Sequence, residues 1–283
     1  MMVSLEAVPR SAAALKAAAA AAAEFSRITI INVPDLLRFP IRSWEACGIL
    51  SGSAAGVPAS DAPPTGAVVP GAPAADTGAS AAGKPVIPLC FMPHLRAVDY
   101  DPAKPFPHAG FFRRAGIRAC LAVKGDLPAG NVAAPDRPFY PAETTAFIKK
   151  LKAELPDLEV YAAFDPYRTN IRYELDYVKA KEDAGAAGFM SQPFFDLRLL
   201  EIYAEYLEGK QVFWGVSPVL SAANRNYWES RNRAVFPRNF RPDLYWNVDF
   251  GRRVLRFCED RNFHLYLMPI KVDLAAYLSG VLG

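Results

Sequence analysis

From Leu158 to Asp196 the sequence spells out one complete strand, helix and strand, and the repetition of that unit is what limits the fold. Leu158 to Phe164 is rich in strand formers and stops at Asp165-Pro166, because the residue before a proline avoids helical geometry and proline cannot extend a ladder. Tyr173 to Asp183 then places Leu175, Val178 and Ala184 at helical spacing, with Gly185 positioned to reverse the chain. Gly188 to Gln192 is short and mostly apolar, as expected of a strand covered on both faces, and it ends in a polar amide.

The same alternation runs through the rest of the chain. Strand patterns occupy Arg27 to Val33, Val86 to Met92, Ile117 to Val123, Gln211 to Val216, more weakly Ala234 to Pro237, and Phe263 to Met268. Helical patterns lie between them, at Leu36 to Leu50 (broken around Pro40), Phe106 to Ala115, Pro141 to Leu155, Leu197 to Leu207 and Tyr245 to Asp260. Strands that alternate with helices and never form adjacent hairpins predict a parallel sheet, and this many units predict a single closed (β/α)8 TIM-type barrel. The length of 283 residues fits, since such a barrel needs about 250. Residues 27–283 are assigned to the barrel and 1–26 to a loosely helical N-terminal extension, because Ala17 to Ala23 lacks the leucine-rich centre of a signal peptide. Ser51 to Lys84 contains no aromatic residue and, before Lys84, only Asp61 and Asp76 as charges. It cannot bury enough apolar surface to offset its ordering entropy and reads as a disordered insertion.

Composition narrows the partners. A net charge of +3 is too small to argue for nucleic acid, and the arginine-rich stretch Arg225 to Arg241 also carries Glu229. No segment approaches the roughly 20 apolar residues of a membrane span. Cys47, Cys90, Cys120 and Cys258 are far apart, which reads as free thiols in a reducing compartment and a cytoplasmic location. No Gly-x-Gly-x-x-Gly follows a strand, no Gly-Lys-[Ser/Thr] occurs, and no Gly-x-Ser-x-Gly elbow is found. His94, His108 and His264 fall in different units, so no metal site is expected.

In a β/α barrel the C-terminal strand ends carry the chemistry. Here those ends bear His94, Lys124 with Asp126, Asp165, Gln192, Ser217 and Lys271. Glu174 and Lys181 lie two helical turns apart on one face. By spacing alone that is first an ordinary solvated helix face; the other reading is a pair that meets a sugar hydroxyl and a phosphate of one extended cofactor.

Pro93-His94-Leu95, Lys124-Gly125-Asp126-Leu127-Pro128, Lys181-x-Asp183-Ala184-Gly185 and Gln192-x-Phe194-Phe195-Asp196, in this order, with His264-Leu265-Tyr266 in the last strand, resemble the methylenetetrahydrofolate reductases. The resemblance spans roughly Val86 to Gly283. It implies a β/α barrel that passes hydride from NADH or NADPH through non-covalent FAD to 5,10-methylenetetrahydrofolate, a step toward methionine. It also implies roles. His94, Lys124, Gly125, Asp126, Phe164, Glu174 and Lys181 would contact the flavin cofactor, with Asp126 also beside the pterin. Gln192, Phe195 and Met268 would hold the folate, and Lys271, at the last strand end, joins them.

The departures concern the acid. The family's first strand carries Phe-Glu-Phe-Phe-Pro-Pro, whose glutamate is the general acid. With Arg27 to Val33 taken as the first strand, the corresponding stretch is Ile30-Ile31-Asn32-Val33-Pro34-Asp35, and Asp35 or Glu45 becomes the candidate proton donor. The segment with the flavin-contacting threonine is replaced by the insertion, and the substrate-stacking aromatic by Ala222, near Tyr227 and Trp228. Two alternatives therefore stand beside the flavoenzyme. One is a folate-dependent enzyme with direct hydride transfer and no flavin; the other is a non-catalytic folate- or flavin-binding subunit. A homo-oligomeric state stays open.

Overall fold

The computed structural model describes residues 1–52, 89–126 and 139–283. The expected insertion, from residue 53 on, lies outside the described residues, as do Leu127 and Pro128. Eight parallel strands close a barrel in chain order: β1 Val3–Glu6, β2 Ile28–Val33, β3 Cys90–Arg96, β4 Ala119–Val123, β5 Glu159–Phe164, β6 Gly188–Pro193, β7 Val212–Val216 and β8 His264–Leu267. Around them run α1 Ala12–Ala23, α2 Ser43–Leu50, α3 Ala109–Ala115, α4 Thr144–Glu154, α5 Ile171–Asp183, α6 Leu197–Tyr206, α7 Ala222–Asn232, α8 Leu244–Arg261 and α9 Leu274–Leu282.

The (β/α)8 expectation holds, with one strand exchanged for another. Ala234 to Pro237 is not a strand; its Phe236 packs in a loop above α7. The missing strand is β1, which pairs with β2 on one side and with β8 on the other. The barrel therefore begins at Val3, and residues 1–26 are its first β/α unit, not an extension. Four residues are too few for periodicity to register. Alanine is the best helix former, so that run makes α1, with Ser11 as N-cap and Leu15 and Ala22 buried.

The side chains sort by the two-residue period of a strand. Met92, Leu121, Tyr161, Met190, Phe213 and Tyr266 point inward and fill the barrel. Alternate residues such as Val33, Leu95, Phe164 and Trp214 point outward and pack under the helices. The four cysteines are free and buried. Among the described residues no helix is long and apolar enough to cross a membrane, and no group of His, Cys, Asp and Glu is arranged to hold a metal.

Candidate functional site

Glu6 is the last residue of β1, and inward alternation brings it to the C-terminal mouth of the barrel. Its carboxylate accepts the hydroxyl of Tyr266 from β8. Some of its surface still meets solvent, yet protein surrounds it, and this desolvation raises its pKa from 4.5 to about 6 against the lowering effect of the Tyr266 bond. Sequence reasoning missed Glu6 because it missed β1. The signal was present: Leu5-Glu6-Ala7-Val8-Pro9 carries the apolar-Glu-apolar-apolar-Pro pattern of the motif sought further along.

Next to it stands a polar chain. Asn32 pairs with Glu6 in the β1–β2 register, its Nδ2 donates to Ser4 Oγ at 2.7 Å, and its Oδ1 lies 2.9 Å from His94 Nε2. His94 is buried, and desolvation pulls its pKa down to about 3, so the imidazole is neutral.

Across the mouth, Gln192 is exposed at the end of β6. The β6–β7 register shifts between Met190 and Pro193, where Ser191 Oγ accepts the N–H of Gly215 at 2.7 Å. Such irregularities re-aim side chains beside active sites. Gly215 is the tightest point of this corner: a Cβ there would sit 2.5 Å from Met268 Cε and 2.7 Å from Ser191 O. The Gln192 carbonyl oxygen lies 3.1 Å from the same point, so its backbone and the Met268 side chain both border Gly215. Phe195, by contrast, is sealed beneath α7 against Phe236, with ring centroids 4.4 Å apart, and against Trp228. Lys271 is exposed beyond β8 with a φ of 52°.

On the rim, Gly125 has a φ of 91° and lies so close to Arg96 and Val98 that no side chain fits. Arg96 Nη2 donates to the carbonyl of Asp126 at 2.8 Å, leaving the exposed Asp126 carboxylate without a partner among the described residues. Lys124 is exposed and pairs with Glu143 at 3.2 Å.

The remaining candidates are engaged elsewhere. Asp35 is gripped by Arg42, whose Nε and Nη2 reach its two oxygens at 3.0 and 2.6 Å. Glu45 caps α2 by accepting the Arg42 N–H at 2.9 Å. Phe164 points outward, packed edge-on against Trp214. Glu174, 1% exposed, accepts from Arg168 and from the Asp165 N–H. Lys181, 2% exposed, donates to Ala163 O at 2.6 Å and lies 3.8 Å from the Tyr177 ring centroid. Burial lowers its pKa to about 8.

These placements test the flavin. His94, Gly125 and Asp126 face or edge the mouth, but Phe164 packs outward from β5, and Glu174 and Lys181 sit behind it with their polar groups satisfied by the protein. As folded, the residues present do not fit FAD through those three positions.

A closed parallel barrel with acid, amide and imidazole at its C-terminal mouth defines a β/α-barrel protein with an enzyme-like centre. Among solved structures the same fold appears in oxaloacetate acetylhydrolase (TM-score 0.53, 8% identity, 95% of this chain and 75% of that one) and in 2,3-dimethylmalate lyase (TM-score 0.50, 8% identity, 96% and 75%). Residues 80–242 match the model of the family "Methylenetetrahydrofolate reductase", more than half of the chain, and the chain belongs to that family. It is 30% identical over 105 residues to the 5,10-methylenetetrahydrofolate reductase of Escherichia coli, covering 37% of this chain and 34% of that one. It is 24% identical over 159 residues to the probable methylenetetrahydrofolate reductase (NADPH) of Caenorhabditis elegans, covering 54% and 24%. The chain thus matches about a third or less of these relatives' length. Glu6 lies outside the matched family segment.

Proposed function

We propose that this barrel reduces 5,10-methylenetetrahydrofolate to 5-methyltetrahydrofolate with hydride from NADH or NADPH, without a flavin between them. The observation that carries the reading is Glu6: a carboxyl group at the mouth, kept protonatable near pH 6 by desolvation and set in the strand position and local pattern of the family's acid. In the reaction, the protonated Glu6 gives its proton to the folate nitrogen that leaves the methylene carbon. That C–N bond breaks, and its electron pair stays on the nitrogen. The resulting iminium carbon accepts hydride from C4 of the dihydronicotinamide, which leaves as the oxidised nucleotide. Gln192 would hydrogen-bond the pterin, Met268 would pack on it, and Asp126 would stabilise the positive charge of the iminium.

The direct route is preferred because Phe164, Glu174 and Lys181 offer nothing to FAD. FAD-mediated transfer is the second reading, favoured by the rim at Lys124, Gly125 and Asp126. The visible spectrum of the purified full chain, followed by anaerobic NADH oxidation in the presence of 5,10-methylenetetrahydrofolate, tests both. Turnover with no flavin bands is the expected result. Bound-flavin bands would overturn the direct route, and no NADH oxidation with either folate or a quinone acceptor would leave a binding subunit.

A further inference from the structure

Apart from the mouth, a cavity of about 560 Å3 opens between α6, α8 and the connection from α7 to α8. That volume lies in the usual range of small-molecule sites, and none of Glu6, His94, Gln192 and Met268 lines it. Its walls stand on fixed parts of the fold. On α8, Trp246 and Arg253 are seven residues, two helical turns, apart and share one face. On α6, Leu197 and Glu201 are four apart and do the same. The third wall is a turn, closed by the Phe240 N–H on the Pro237 carbonyl at 3.0 Å, which puts Arg238 at its tip. Aromatic packing clamps both ends of this turn: Phe236 stacks on Phe195 with ring centroids 4.4 Å apart, and Phe240 meets Trp246 at 4.6 Å. Arg238 is thus presented from a backbone that is already held in place.

Five of the lining residues are charged, and two of them satisfy each other. Asp196 accepts from Arg198 Nε at 3.2 Å and Nη2 at 2.7 Å, which holds its carboxyl below the usual range, with a smaller contribution from the field of Arg253. The other three, Arg238, Arg253 and Glu201, make no side-chain hydrogen bond or ion pair among the described residues. Two guanidinium forks suit a carboxylate, and a carboxylate beside them suits an ammonium. A polyphosphate would meet Glu201 as a like charge, and a plain hydrocarbon would leave all three charges unanswered. Leu197, Pro237 and Trp246 supply apolar surface in the same cleft.

We propose that this cleft binds a free α-amino acid with an apolar side chain, its carboxylate taken by Arg238 and Arg253, its ammonium by Glu201, and its side chain by Leu197, Pro237 and Trp246. The site uses no residue of the mouth, so it stands apart from the reductase reading.

Isothermal titration calorimetry of the full chain with L-leucine and with L-phenylalanine tests this. Each is compared with the acid that lacks its ammonium (isocaproate, phenylpropionate) and the amine that lacks its carboxylate (isoamylamine, phenethylamine). At least one amino acid is expected to bind, with both of its analogues weaker by about tenfold or more, the usual worth of a charge-assisted hydrogen bond. Binding of neither amino acid overturns the proposal, and so does an analogue that binds as well as its parent. Glu201→Gln keeps the shape and is expected to erase the preference for the amino acid over the acid lacking its ammonium. Arg238→Gln is expected to weaken the amino acid about tenfold. A preference that survives Glu201→Gln, or an affinity unchanged by Arg238→Gln, overturns the assignment to this cleft. Arg238 is exposed and Glu201 half-buried, so both variants are expected to fold, and the wild-type series decides the ligand class in any case. No turnover is read, so a chain without reductase activity that binds the amino acid keeps this inference and loses only the reductase reading.

Discussion

The hydroxyl of Tyr266, on the last strand, donates to the carboxylate of Glu6, on the first, across the seam where the barrel closes. In the proposed reaction Glu6 supplies the acid and Tyr266 tunes it, and each faces inward because of its strand's register.

Glu6→Gln is expected to lower kcat by roughly 10²- to 10⁴-fold, the usual worth of a positioned general acid. The stability effect runs the other way. Burial raises the folded pKa above the unfolded one, so the stabilising protonated state is fully present below about pH 4.5 and lost as pH rises through about 6. A glutamine cannot ionise. Urea denaturation should find the variant more stable by up to about 2 kcal/mol near pH 8 and little different near pH 4. An unchanged kcat would remove Glu6 from the chemistry.

Tyr266→Phe takes away the hydrogen bond that lowers the Glu6 pKa. The limb of the kcat profile that falls as Glu6 loses its proton should then move to higher pH. A limb that stays put would show that another group sets it.

Asp35 and Arg42 are expected to matter for folding more than for rate. The Asp35 side chain is 1% exposed, and Arg42 bridges it to Asp99 at 2.6 Å. Removing one partner of such a pair strands a buried charge, and Arg42→Met should cost about 3 kcal/mol, the lower end for buried pairs because Arg42 is itself 20% exposed. Adding Asp35→Asn should recover part of that loss in thermal or urea unfolding. The single Asp35→Asn variant should keep kcat within about tenfold, less than the loss of a general acid; a larger loss would restore Asp35 as the proton donor.

Gly125→Ala combines a left-handed backbone with a side chain that would lie 2.7 Å from Val98 Cγ2 and 2.8 Å from Arg96 Nε. The strained backbone alone costs on the order of 1–3 kcal/mol. A lowered melting temperature with weaker folate binding is the expected outcome, since Arg96 must move and carries the Asp126 carbonyl with it.

Much of the fold was legible because parallel strands and amphipathic helices repeat. The helix ending at Gly116, with its φ of 65°, and α5 ending before Gly185 are written in residue types. β1 was not, since four residues carry no period and its pairing partners lie on β2 and β8. For the site, Gln192 and Met268 could be named by resemblance, and the backbone of one and the side chain of the other border Gly215. Asp35, Glu45, Glu174 and Lys181 are of the right types, but whether a charged side chain faces a ligand or a neighbouring arginine depends on tertiary contacts. The Asn32–His94 contact joins residues 62 positions apart on two strands, and no local pattern announces it.

The seam between β1 and β8 also sets a timetable. Glu6 and Tyr266 are separated by 260 positions, which at roughly 5–20 residues per second of synthesis is on the order of 10 to 50 s. Through that interval β1 lacks its β8 neighbour, and Glu6 lacks the Tyr266 hydroxyl that bonds it in the folded barrel. The desolvation that raises its proton affinity belongs to the closed barrel, so a nascent chain carries the glutamate without yet possessing its raised pKa.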